Sequence, residues 1–304
     1  MKKVAVIMST YNGSKYLDEQ IHSILGQKNV EVELYIFDDI SKDNTVEIIR
    51  KWMNSNRSIH LEINAKNIGA KKSFLNGLQR VSDADYYAFA DQDDVWNEDK
   101  LLSGVEKLEQ QINKEYKLYF SVARIVNENL EVQGMDSFDH RVLSFGEILT
   151  RNNGIGCTFV FNDKLKKQLD KLVVNKLGAY PLHDQLIYAV CASLNGYIYF
   201  DSTSHILYRQ HSQNEVGGRK RSFLRKLLES GMFDKNKIRL DFIHDLDSYY
   251  GEDMSLENRL LIQHLIDYKL SLKNKISAMV ELNHQMKSVI SKIEMTLLLI
   301  LNRF

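Results

Sequence analysis

Three short polar clusters in the first hundred residues carry side chains suited to an oxygen-rich ligand: Ser9-Thr10-Tyr11-Asn12-Gly13, Asp38-Asp39-Ile40-Ser41 and Asp91-Gln92-Asp93-Asp94. Carboxylates gathered without Cys or His in the same loop suit a hard divalent cation, so Mn²⁺ or Mg²⁺ is the expected ion. Such an ion is commonly held in part by substrate phosphates, which points to a nucleotide diphosphate. Neither G-x-x-x-x-G-K-[ST] nor G-x-G-x-x-G follows the first apolar run, which weighs against kinase, ATPase and dehydrogenase chemistry. Each cluster alone reads equally well as a solvated turn; three in succession do not.

The elements that must position them are legible in the apolar pattern. Val4 to Met8, Leu34 to Phe37 and Tyr86 to Ala90 read as strands buried on both faces, each ending in one of the clusters. Amphipathic stretches alternate with them. Ser14 is expected to cap a helix through Leu25, Asn44 and Glu47 to form a capping box, and Asn97 to cap a helix reaching Gln111. Lys71 to Val81 and Asp184 to Leu194 are further helices, and Ser144 with Glu147 is a second capping box. Strand alternating with crossover helix predicts a doubly wound, mostly parallel sheet, whose strand ends share one edge and one crevice.

Composition narrows the class. The 304 residues include 40 basic and 40 acidic side chains, so no global field points to nucleic acid. No apolar run reaches the length of a membrane span. Two cysteines, Cys157 and Cys191, make no disulfide framework, and a reducing cytoplasm is expected. Beyond Gly217-Gly218 the chain turns strand-free and helical, so a boundary is placed there, giving units 1–218 and 219–304.

These residues resemble the inverting glycosyltransferases of family two, with the GT-A fold. The resemblance is carried by the three clusters, by Asp43-Asn44-Thr45, Asn67-Ile68-Gly69, Asp94-Val95-Trp96, His183-Asp184 and Tyr208-Arg209-Gln210-His211, spanning about residues 1–218. The pairing of Asp-Gln-Asp-Asp-Val-Trp with Tyr-Arg-Gln-His is similar to the bacterial branch that contains rhamnosyltransferases of surface-polysaccharide synthesis. The resemblance implies a nucleotide-diphospho-sugar donor, a UDP- or dTDP-sugar, and a glycan or polyprenyl-linked acceptor. It implies nucleotide contacts from Thr10, Tyr11, Asn12, Asp38, Asp39, Asn67 and Asp91, with Asp38 favoured for the base. Asp91, Asp93 and His211 are the implied metal ligands, and Asp184 the base that deprotonates the acceptor. Asp94, Trp96, His183 and Arg209 are the implied donor-sugar or acceptor contacts. For Asp94 a turn cap, and for Trp96 a buried anchor for the loop, are the competing readings. The Q-x-x-R-W motif and membrane spans of processive synthases are absent, which favours transfer of one sugar or a few. A non-catalytic glycan-binding or scaffold subunit is the alternative from another class.

Two expectations concern the helical end. Leu265, Leu272, Met279, Met286, Ile293 and Ile300 recur every seven residues, interleaved by Ile276, Ile290, Leu297 and Phe304. That spacing predicts one long helix of about forty residues pairing two chains; a fold-back onto 222–250 and an interfacial helix at Leu297 to Leu301 are the alternatives. Arg219-Lys220-Arg221 with Arg225-Lys226 predicts peripheral contact with an anionic membrane.

Overall fold

The computed structural model describes residues 1–136, 143–150, 154–177, 183–211 and 232–304. The chain forms two compact units, one of Met1–Asp139, Gly154–Asp170 and Gly196–Asn214, the other of His140–Asn153, Lys171–Asn195 and Glu215–Phe304. The expected boundary at 218 and the basic patch from Arg219 to Lys226 lie outside the described residues.

The first unit holds all the strands described: β1 (Lys2–Thr10), β2 (Val30–Asp38), β3 (Ile59–Ile63), β4 (Tyr86–Ala90), β5 (Val95–Trp96), β6 (Lys117–Ser121), β7 (Arg124–Val126), β8 (Val132–Met135), β9 (Val160–Asn162), β10 (Tyr197–Asp201) and β11 (Ile206–Arg209). Seven make one sheet in the order β10-β6-β9-β4-β1-β2-β3, parallel apart from β9. The remainder form a second sheet, β5-β11-β7-β8. Helices α1 (Leu17–Leu25), α2 (Thr45–Ser55), α3 (Ala70–Arg80) and α4 (Lys100–Glu109) follow strands as crossovers. This is the mixed α/β, GT-A-type arrangement expected. Register carries the functional point: Thr10 lies opposite Asp38, and Met8 opposite Ala90, so all three clusters emerge at one edge.

The interior explains why the strands read as unbroken apolar runs. Val4, Val6 and Met8 belong to the same buried cluster as Leu17, Ile21, Leu34 and Ile36, while Ala5 and Ile7 are buried on the other face. Gly77 lets α3 approach β2, since a Cβ there would sit 2.5 Å from the Phe37 ring. Local caps differ from expectation. Asn44 makes no side-chain cap; Asp43 instead accepts from the Thr45 amide and hydroxyl at 3.0 and 2.5 Å. Likewise α1 and α4 start after Tyr16 and Asp99 without side-chain caps, not at Ser14 and Asn97. Both starts are held by buried stripes rather than by caps.

The second unit is helical: α5 (Phe145–Ile148), α7 (His183–Ser193), α8 (Met232–Tyr250), α9 (Leu256–Asp267), α10 (Leu272–Gln285) and α11 (Val289–Ile300), with α6 (Asp163–Leu169) belonging to the first unit. The Ser144 half of the expected capping box at α5 forms, Ser144 Oγ accepting from Glu147 N at 3.3 Å. Every residue of α7 is buried, and Asn258 ties it to α9 through two 3.0 Å bonds to the carbonyls of Ala192 and Ser193.

The single long helix predicted from the heptads is corrected to three. Ser255, Ser271 and Ser288 each accept a bond from the amide three residues on, opening a new helix each time. The heptad residues part company accordingly: Leu265, Met286 and Phe304 are buried, whereas Leu272, Ile293 and Ile300 are more than half exposed. Among the described residues no helix is long and apolar enough to cross a membrane.

Candidate active site

At the shared strand edge the first two clusters lock each other. The Asp38 carboxylate, wholly buried, accepts from the Thr10 hydroxyl at 2.9 Å and from the amide and hydroxyl of Ser41 at 2.8 and 2.5 Å. Asp39, beside it, gathers the segment after β3: Asn64 Nδ2 at 2.9 Å, the Ile68 amide at 2.9 Å and the Gly69 amide at 2.8 Å all donate to it. Asn67 donates to the Asp39 carbonyl at 3.2 Å. Two adjacent acids therefore serve two loops, one each. The Asp38 carboxylate thus receives three protein donors.

The turn after β1 is shaped in the same way. Asn12 adopts a left-handed backbone with φ of 49°, its amide donating to Ser41 Oγ and its side chain accepting from the Lys42 amide. Tyr11, 45% exposed, offers its ring to solvent while its backbone is clipped by Gln92, which accepts from the Tyr11 amide at 2.8 Å and donates to its carbonyl at 3.1 Å. Gln92 thus joins the first cluster to the acidic one. Its role has no local sequence signal.

The acidic loop meets β11 and the residues after it. His211 Nε2 lies 2.7 Å from Asp93 Oδ2, and the His211 ring packs on Tyr16 with centroids 5.1 Å apart. The 2.7 Å separation is a hydrogen-bond distance, somewhat shorter than the about 3 Å that separates cis ligands of an octahedral ion with bonds of about 2.1 Å. Asp91 groups differently, with Asp94 and Cys157, their ligand atoms lying within 4.8 Å of one another. Burial, then the negative charges of Asp93 and Asp91, push the Asp94 carboxyl well above its ordinary range. Burial also pushes the Cys157 thiol up, which leaves it protonated and a poor ligand for a hard ion. The hard donors of that group are therefore the carboxylate oxygens of Asp91 and Asp94, while Asp93 is paired with His211.

Arg209 departs from its expected part. It is 2% exposed and bonded throughout: Nε donates to the Asp93 carbonyl at 2.7 Å, Nη1 to the Glu128 carbonyl at 2.6 Å and Nη2 to the Glu19 carboxylate. Its amide donates to Asp94 Oδ1 at 3.0 Å, and its guanidinium lies 4.4 Å from the Tyr16 ring centroid. It clamps the acidic loop, its guanidinium engaged by protein partners rather than offered to a donor sugar or acceptor. Trp96 is corrected too. It is 4% exposed, and Lys100 Nζ stands 3.6 Å from its ring centroid, so it anchors the loop from the core. Lys100 itself is buried, and that burial pushes its ammonium down to about 7.

In the helical unit, His183 and Asp184 open α7 and are both buried. Asp184 Oδ1 accepts from the Gln185 amide at 2.7 Å, and Gln185 Nε2 donates to the Ile148 carbonyl at 2.9 Å.

A parallel sheet whose strand ends converge on acids, with a histidine returned beside them, defines a nucleotide-sugar transferase site. Residues 5–138 match the family model for glycosyl transferase family 2. The chain is 31% identical over 266 residues to the dTDP-rhamnosyl transferase RfbG of Shigella flexneri, covering 83% of this chain and 88% of that one. It belongs to glycosyltransferase family 2, and it is a glycosyltransferase rather than a scaffold subunit. The fold is similar to that of S. aureus TarS 1-349 in complex with UDP-GlcNAc, with a TM-score of 0.56 at 17% identity, over 98% of this chain and 90% of that one. It is similar also to the mannosyltransferase PcManGT from Pyrobaculum calidifontis in complex with GDP-Man and Mn2+, with a TM-score of 0.50 at 15% identity, over 97% and 87%.

Proposed function

We propose that the chain is a metal-dependent inverting transferase that moves a single sugar from a nucleotide diphosphate, dTDP-rhamnose in this reading, to a glycan or polyprenyl-linked acceptor of bacterial surface-polysaccharide synthesis. The observation that carries the metal is the Asp93–His211 pair, 2.7 Å apart at the strand edge. A bound divalent cation would neutralise the diphosphate oxygens and so stabilise the leaving group. Asp93, His211 and Asp91 would hold it, and an imidazole among carboxylates tips the choice from Mg²⁺ toward Mn²⁺. Thr10, Tyr11, Asn12 and the Asp38–Asp39 pair receive the nucleoside, with Asp38 the favoured partner of the base. Arg209 holds the Asp93 carbonyl in place. Asp184 removes the proton from the acceptor hydroxyl as that oxygen attacks the anomeric carbon, and one displacement inverts the centre. The two buried free thiols are in keeping with a reducing compartment.

The donor rests on the likeness to RfbG, and the test is direct. The chain is incubated with dTDP- and UDP-sugars, with Mn²⁺ or with chelator, and thermal stabilisation and donor consumption are followed. dTDP-rhamnose with Mn²⁺ should give the largest stabilisation and be consumed. Preference for a UDP-hexose would replace the donor, and consumption undiminished by chelator would remove the metal.

A further inference from the structure

The helical unit carries an apolar surface that the transferase reading does not use. Helix α11 buries Ser291, Met295 and Leu299 on one side. Val289, Ile293, Leu297 and Ile300 are each more than half exposed. The two sets are two residues out of phase, about 200° apart round the helix. Helix α10 repeats the pattern, with Ala278 and Leu282 buried while Leu272, Ile276 and Val280 face solvent. The helices pack as neighbours, bonded through Asn283 Nδ2 and Thr296 Oγ1 at 3.0 Å. Each helix thus leaves an aliphatic stripe in solvent opposite the one it buries.

The charges beside these stripes select the occupant. From residue 269 onward the bases are Lys269, Lys273, Lys275, Lys287, Lys292 and Arg303, and the acids only Glu281 and Glu294. Both acids already have partners: Glu281 lies 2.9 Å from His264 Nδ1, and the charge of Glu294 acts on Arg239. A second copy would bring a like excess of positive charge against the first, which opposes self-pairing. An anionic lipid surface answers both features, because it takes up aliphatic side chains and attracts the lysines round them.

We infer that α10 and α11 form a peripheral docking face for an anionic membrane, inserting their exposed aliphatic stripes at the headgroup level. The inference stands apart from the proposed donor and metal, since it uses none of their residues.

The test is sedimentation of the full chain with phosphatidylcholine vesicles, with and without phosphatidylglycerol. Binding is expected to the anionic vesicles and to fall with salt. The double variant Ile293→Ser with Leu297→Ser should lose at least about tenfold in partitioning, each buried methylene being worth about fourfold. Lys273→Glu with Lys287→Glu should lose about fivefold or more per charge. All four side chains are exposed, so the unfolding temperature and donor hydrolysis should match the parent and exclude misfolding. Equal binding to neutral vesicles, or stripe variants that bind like the parent, would overturn the inference. So would self-association in light scattering that the stripe variants abolish while vesicles are ignored; the face would then belong to a second copy.

Discussion

Replacing Arg209 by lysine keeps the charge and removes the fork, and its cost can be worked from the three guanidinium bonds. Lysine has one ammonium and cannot reach the Asp93 carbonyl, the Glu128 carbonyl and the Glu19 carboxylate together. The Asp93 residue is 9% exposed, so its carbonyl loses its partner in a place water reaches poorly, at about 1–3 kcal/mol. Glu128, which offers its carbonyl, is an exposed residue, and the Glu19 carboxylate is about half exposed, so both recover most of their loss from water, at roughly 0–1 kcal/mol each. The sum is about 1–5 kcal/mol, or a fall of roughly 2–8 °C in Tm for a chain of this size. The same bond fixes the backbone from which Asp93 reaches His211, so Mn²⁺ affinity should fall by about tenfold or more. Thermal unfolding and Mn²⁺ titration in the presence of dTDP measure the two effects. Stability within about 0.5 kcal/mol of the parent, with unchanged Mn²⁺ affinity, would refute the clamp.

Asp184→Asn should retain donor affinity and lower transfer by about a hundredfold or more, as loss of a general base does; single-turnover kinetics with a bound-donor check decide this, and normal turnover would remove Asp184 from the mechanism. Asp93→Ala should abolish metal-dependent donor turnover while leaving the far-ultraviolet dichroism intact, since the side chain lies at the loop and not in the core. Gly13→Ala should weaken nucleotide binding, because its Cβ would stand 2.2 Å from Gln92 Oε1 and drive that side chain off the Tyr11 backbone; binding calorimetry with dTDP checks it. Lys100 gives a pH signature. Its folded value of about 7 lies below the unfolded 10.5, so below pH 7 it is charged in both states and its burial cost is fully present. As pH rises from about 7 to about 10 the folded chain releases a proton that the unfolded chain keeps, and stability should climb by a few kcal/mol relative to Lys100→Met. Parallel stability profiles for parent and variant would show that Asp94 and Cys157 neutralise the ammonium instead.

The placing of the three polar clusters on one edge was determined by the sequence itself. Buried parallel strands must be apolar throughout, and right-handed crossovers put their carboxyl ends together, so the runs ending at Met8, Phe37 and Ala90 imply Thr10, Asp38 and Asp91 as neighbours. The return of His211 to Asp93 was legible only through the family resemblance, since 118 residues separate them. What the tertiary structure alone decided are the pairings without a period: Arg209 with Glu19, Asp94 with Cys157, Lys100 against Trp96, and Gln92 clipped to Tyr11. Apolar periodicity reports which face is buried and never against what, so a charged residue inside the fold leaves no mark in it. The same limit misled the reading of the C-terminal heptads. Their residues alternate between a covered and an open face on successive short helices, and a sevenfold count cannot tell one continuous seam from two stripes interrupted at Ser271 and Ser288. Only packing, which buries Met286 and leaves Ile293 in solvent, separates the two.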